Sequence, residues 1–234
     1  MATVRAIERP LYWSAAITAA VVVLAGFAPT YYLKAAFGTP ELTTLKHVHG
    51  IVMTAWFTLF LVQARLASTG RIALHRKLGT AGILLAILMI SLGLSLGIAS
   101  ARAGATPHPD LSPLVFLVLP VGEMFAFTVL FSSAIALRRR TDYHKRLMLL
   151  ASLAMLTPAF ARFPLEQVGI PNPLGAFGLA DLVILSCIAY DTAKNRRVHP
   201  AFIAGFIFVV VGQLGRLALS QTAAWMSFAK WLIA

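Results

Sequence analysis

An all-helical integral membrane bundle is the fold class the sequence predicts, and three observations carry it. Hydrophobic residues make up 59% of the 234 positions and charged residues only 12%, with a mean hydropathy of +0.82, far from a soluble globular composition. The apolar residues gather into long unbroken runs, which satisfy their backbone in lipid only as helices. The period-two alternation of a membrane barrel is absent. A single transmembrane domain, 1–234, is expected, with no soluble module.

The first predicted span is Leu11–Tyr32. Arg5 and Arg9 precede it and no clear cleavage site precedes Pro29-Thr30-Tyr31-Tyr32, so it reads as a retained helix and not a removed signal. Val48–Ala64 follows, entered through Lys46-His47-Val48-His49-Gly50. In the third, Leu78–Ala101, Ser91, Gly93, Ser95 and Gly97 put small residues at helical spacing and permit close helix contact. Pro113–Leu137, Leu147–Ala161, Ala176–Ala189 and Ala201–Leu219 complete seven spans, most of them long enough for a hydrocarbon core of about 30 Å. Beyond Ser220, Trp225, Phe228, Lys230 and Trp231 form an amphipathic tail suited to an interface. The lone Cys187 excludes an internal disulfide or a cysteine-based metal site, and its expected role is packing.

The net charge of +12 would suggest nucleic acid in a soluble protein. Here the cations sort by side: Arg5 and Arg9, Arg65 to Lys77, Arg138 to Arg146, and Lys194 to Arg197 all fall on one face. The positive-inside rule makes that face cytoplasmic, with the N-terminus inside, the C-terminus outside and the bacterial inner membrane as the location. The basic loops then serve topology and anionic lipid, not nucleic acid. Past the first span, three helical hairpins each turn at this face through a basic link holding a histidine, His75, His144 or His199. The outer links, around Thr39-Pro40-Glu41, Thr106 to Asp110 and Phe163 to Pro173, carry prolines and glycines and read as loops.

Ionisable groups inside spans are costly and mark function by default. His49, Glu123 and Asp181 sit on the rising helices of the three hairpins, with Arg162 and Arg216 on two returning ones. Counting up from the basic ends at about 1.5 Å per residue places all five roughly 20 to 27 Å above that face. A shared depth argues for an outward-facing polar cavity, with Gln213 and His47 as outer contributors. Three readings compete there. The groups neutralise one another as ion pairs. His49, Glu123 and Asp181, with His47, ligate zinc, iron or copper. Arg162, Arg216 and Gln213 hold a small anionic ligand. Two residues on a helix differ by about 200° in direction, so of His47 and His49 one faces the bundle, and His49, deeper and beside Gly50, is the expected one.

Haem is the alternative cofactor, since b-type cytochromes hold iron by histidines on facing helices at one depth. His75, His144 and His199 supply such a layer near the cytoplasmic face. Neither a Gly-x-Ser-x-Gly, a P-loop, a dinucleotide fingerprint nor an EF-hand occurs. A transporter for a small solute or lipid would need a route between the two layers, and no span is broken at its middle by paired Gly or Pro.

With His47-Val48-His49-Gly50, Leu74-His75-Arg76-Lys77-Leu78-Gly79, Tyr143-His144-Lys145-Arg146-Leu147-Met148 and Val198-His199-Pro200 in view, the chain resembles an uncharacterised group of bacterial seven-helix membrane proteins. That likeness implies a shared fold and no activity. Histidines at span ends also give it a loose likeness to haem-handling and oxidase-assembly membrane proteins. The expected protein binds a metal ion or small anion at the outer site, as a redox enzyme or an assembly factor for a redox complex. The alternatives are the cytoplasmic-side haem protein, the transporter and a structural subunit. Its partners are the bilayer, other membrane proteins or a second copy of the chain.

Overall fold

The computed structural model describes residues 2–106 and 111–234, with side chains from Pro10 onward. The loop expected at Pro107 to Asp110 lies outside the described residues. All regular structure among the described residues is helical: α1 Ala2–Phe27, running into a π turn Ala28–Tyr32; α2 Thr44–Ser68; α3 Ile72–Arg102; α4 Pro113–Phe116; α5 Val118–Ala136; α6 Thr141–Ala154; α7 Thr157–Phe160; a 3-10 turn Leu165–Val168; α8 Leu174–Asn195; α9 Pro200–Leu219; and α10 Ala223–Ile233.

Local chemistry sets the boundaries. Thr43, Ser112 and Thr222 accept from the backbone N–H groups of Lys46, Val115 and Trp225 and so cap α2, α4 and α10. His199 does the same for α9 through Nδ1, with Pro200 at the first helical position. Gly70, at φ 76°, makes the turn between α2 and α3 that a residue with a Cβ would enter only under strain.

Six helical segments among the described residues are long and apolar enough to cross a membrane: Pro10–Tyr32, Thr44–Ser68, Ile72–Arg102, Pro113–Ala136, Leu174–Asn195 and Pro200–Leu219. The expected seventh, Leu147–Ala161, is not one continuous helix. It divides into α6, which is 14 residues long, and the single turn α7. The cause is Pro158, which lacks an N–H and whose ring opposes the carbonyl four residues earlier; that residue is Ala154, where α6 ends.

The broken segment is also the centre of the bundle. α6 packs against α1, α5, α8 and α9, and Leu150, Ala151, Ser152 and Leu153 are fully buried. Gly26 of α1 lies so close to the Ala159 backbone of α7 that a Cβ there would collide with it. Around this core the long helices turn apolar residues outward, among them Ile51, Leu84, Phe125, Leu182 and Val211, each more than 60% exposed. Such a belt suits lipid and not water.

The three basic links meet at one end of the bundle, where His75 approaches His144 and His199 approaches Asp142. At the far end Tyr31 donates to the His47 carbonyl and Trp225 to that of Leu114, and Arg102 Nε donates to the carbonyl of Ile233.

Candidate functional site

At the far end the polar residues do not converge on one cavity. Arg216, buried on α9, passes its aliphatic stem across Gly122, where a Cβ would collide with it. Its Nη1 lies 3.5 Å from Glu123 Oε2 and donates to the Leu119 carbonyl at 3.3 Å. Its Nε donates to Gly212, and its guanidinium carbon stands 5.0 Å from the centre of the Phe177 ring. Gln213 Nε2 donates to Asp181 Oδ1 at 3.0 Å. Glu123 thus faces a cation and Asp181 a neutral amide. The second oxygen of Glu123 is buried without a hydrogen-bond partner.

Arg162 stands apart from Arg216. It donates to the Pro158 carbonyl and lies 4.0 Å over the Phe27 ring of α1, so the two arginines stack on different rings and do not make the expected anion pocket. His47 and His49 both lie inside α2, which begins at Thr44, and helical geometry separates them. The His47 ring is 6.0 Å from Tyr31. His49 Nδ1 is buried without a partner. Among the described residues no three His, Cys, Asp or Glu side chains are placed to hold a metal ion. The expected ligand set of His47, His49, Glu123 and Asp181 is thus not assembled: a shared depth did not bring a shared direction. A groove of about 610 Å³ runs along Tyr31, Tyr32, Ile51, Thr54 and Leu78, and none of these candidates lines it.

The basic end is different. His199 is committed, with Nε2 3.2 Å from Asp142 Oδ2, Nδ1 capping α9, and its ring edge-on to Tyr143 at 4.7 Å. Burial opposes ionisation of Asp142, but the His199 hydrogen bond and the backbone N–H groups of Asp142 and Tyr143 outweigh it and hold its pKa below the ordinary value. His199 is therefore not available as the third haem ligand. His75 and His144 remain, on α3 and α6, with ring centres 6.4 Å apart and planes 82° apart.

His144 Nδ1 lies 2.8 Å from the Ala134 carbonyl. A carbonyl only accepts, so Nδ1 carries the proton and Nε2 keeps its lone pair. Metal-bound histidines are fixed by the same kind of backbone hydrogen bond. The His75 ring makes no hydrogen bond among the described residues, and its Nδ1 is buried. Gln63 on α2 donates Nε2 to the His75 carbonyl and leaves Oε1 buried without a partner.

No family model, curated protein or solved structure matches the chain. Its function is read from these side chains alone.

One cluster was missed from sequence. Arg146 donates Nε to Asp191 Oδ2 at 3.0 Å and Nη2 to Oδ1 at 2.7 Å, and Nη1 to the Asp142 carbonyl. Both side chains are buried. In the sequence Arg146 reads as one of the loop cations, and Asp191 does not stand out. The available signal was an acid three residues before Lys194, at the end of an apolar span and level with an arginine on a neighbouring hairpin.

Proposed function

We propose that the chain is a seven-crossing protein of the bacterial inner membrane, its N-terminus cytoplasmic, that binds a b-type haem between α3 and α6 through His75 and His144. The observation that carries this reading is the imidazole pair itself. Two imidazoles bonded at about 2 Å to one metal through opposed nitrogens have ring centres roughly 6 Å apart, and this pair stands at 6.4 Å. A bare zinc ion prefers three or four protein ligands. His75 and His144 would be the two protein ligands to a haem bound here.

The chain's contribution is positional. The Ala134 carbonyl holds the His144 ring in one tautomer and orientation, and the two helices set the separation of the rings. Bound haem would supply one-electron transfer, and the histidine ligands would tune its potential.

The visible spectrum of protein purified from cells supplied with a haem precursor tests this. A Soret band at one haem per chain is expected, lost in both His75→Ala and His144→Ala and kept in His49→Ala and His199→Ala. A colourless protein, or a band that survives both of the first two substitutions, would falsify the assignment.

A further inference from the structure

The bundle leaves one face of α2 uncovered. Ile51, Thr54, Ala55, Thr58, Leu59 and Val62 recur at spacings of three and four, so they form a single stripe along the helix. The stripe turns away from Trp56, Phe60 and Ala64, the buried side of the same helix, and it lines most of the groove of about 610 Å³. Tyr31 and Tyr32 close one end and Leu78 of α3 the other. Ile51 and Val62 are exposed within the apolar belt, so the groove opens to lipid. Its volume is that of a ligand cleft, which is typically about 300–1,000 Å³, and no residue lining it is charged.

The polar end of the groove has a definite hydrogen-bonding character. The π turn Ala28–Tyr32 brings two consecutive tyrosines onto α2. Tyr31 lies where a Cβ on Gly50 would collide with its ring, and it donates to the His47 carbonyl at 3.1 Å. Tyr32 Oη lies 2.8 Å from Thr54 Oγ1. The direction of that bond follows from its neighbours: Thr54 has one hydroxyl proton and donates it to the Gly50 carbonyl at 2.7 Å, so Tyr32 donates and Thr54 accepts. Thr58 gives its proton to the Thr54 carbonyl at 2.8 Å. All four hydroxyl protons are therefore engaged within the protein, and these hydroxyls can offer an occupant only lone pairs. In charge, the groove is complementary to a neutral hydrogen-bond donor.

We infer that this groove binds a quinol, its phenolic O–H donating to the Tyr32 oxygen and its prenyl tail lying along Ala55, Leu59, Val62 and Leu78. A quinol reaches the groove from the bilayer, as the opening requires. Its flat ring suits the two tyrosine rings, whose centres are 5.2 Å apart with planes at 86°. A phospholipid headgroup would bring a charge that no lining residue meets. An aliphatic lipid alcohol also donates, but it has no ring to set against the tyrosines. The oxidised quinone carries carbonyl acceptors only, and an acceptor facing an acceptor leaves both unpaired. The groove thus selects the reduced form of one lipid over its oxidised form. Binding there transfers no electron and needs nothing between His75 and His144.

The test is equilibrium binding of a para-benzoquinol with a decyl tail, kept reduced under nitrogen, to the full chain in lipid nanodiscs. Saturable binding at one quinol per chain, above that of protein-free nanodiscs, is expected. The corresponding quinone should bind roughly tenfold or more weakly. Ala55→Phe, which fills the groove, and Tyr32→Phe, which removes the acceptor, should each weaken quinol binding by roughly the same factor. Thr54→Val frees the Tyr32 proton and should bring the quinone's affinity up towards the quinol's, whereas Thr128→Val, which removes a hydroxyl bonded to the Met124 carbonyl on α5, should change neither. Binding no greater than in protein-free nanodiscs overturns the site. So does quinol binding that Ala55→Phe or Tyr32→Phe, whichever inserts and folds, leaves unchanged. A quinone bound as tightly as the quinol, or a long-chain alcohol that displaces the quinol at equal concentration, overturns the choice of ligand. A Soret band without quinol binding would retain the haem reading and reject the groove, and the reverse result would do the opposite.

Discussion

Arg146 meets Asp191 through a bidentate contact in a place where neither side chain reaches solvent. The cost of desolvating such a pair offsets much of its attraction, whereas removing one partner strands the other. Arg146→Met is therefore expected to destabilise the protein by about 3–5 kcal/mol, and the double replacement Arg146→Met, Asp191→Leu to recover most of that loss. Unfolding in detergent, measured for the two single variants and the double, checks it. Asp142 and His199 make the exposed counterpart, since the aspartate is 55% exposed and such pairs contribute about 1 kcal/mol or less. A lowered folded pKa for Asp142 means its contribution is complete above the unfolded value and is lost as pH falls through the folded one. Melting temperature should show a small acid-side loss below about pH 4 that Asp142→Asn abolishes. At this scale the sequence revealed which residues were costly but not which would meet. Depth along a helix can be counted, so His49, Glu123 and Asp181 were placed at one level, whereas the direction of each around its axis depends on packing that no count supplies. Arg146 and Asp191 were hidden for a related reason: both stand close to a run of basic residues, where charges are ordinarily loop charges.

Pro158 shapes the bundle at the scale of the element. It ends α6 at Ala154 and lets the chain turn before α7, which brings Ala159 against Gly26 of α1. Replacing Pro158 with alanine should let the helix run on through Met155 and Leu156, and hydrogen exchange would show it as added protection at those amides. Gly26→Ala drives a methyl group into the Ala159 backbone and should cost about 1–3 kcal/mol, the range for overpacking; a melting temperature equal to that of the unchanged protein would sink this account. The long apolar runs and their caps were legible, because span length and Ser, Thr or Pro at helix starts are local signals. The break was less so. The run from Leu147 to Ala161 has the composition of a crossing, and only the relation between Pro158 and the carbonyl four residues before it divides the segment.

For the whole molecule, the six long apolar helices and their outward belt place it in a lipid environment, and the proposed orientation rests on the basic links gathered at one end. Cysteines placed singly at Arg139 and at Ser227, in a Cys187→Ala background, test that orientation. An impermeant maleimide added to intact spheroplasts should label the second and not the first until the membrane is opened. Labelling of Arg139→Cys in intact spheroplasts would reverse the topology.

The short central helix has a consequence for how the protein is made. A continuous helix of 14 residues spans about 21 Å, and an arginine at mid-helix opposes entry into lipid by about 2.5–3.5 kcal/mol; Arg146 near the start of α6 meets part of that barrier. Its neutralising partner, Asp191, lies 45 residues further along the chain. During synthesis α6 is thus made before the residue that compensates it. Its seat is completed retroactively, when α8 arrives, so a chain truncated in the Phe163 to Pro173 link and released should hold this segment less securely than the full chain does.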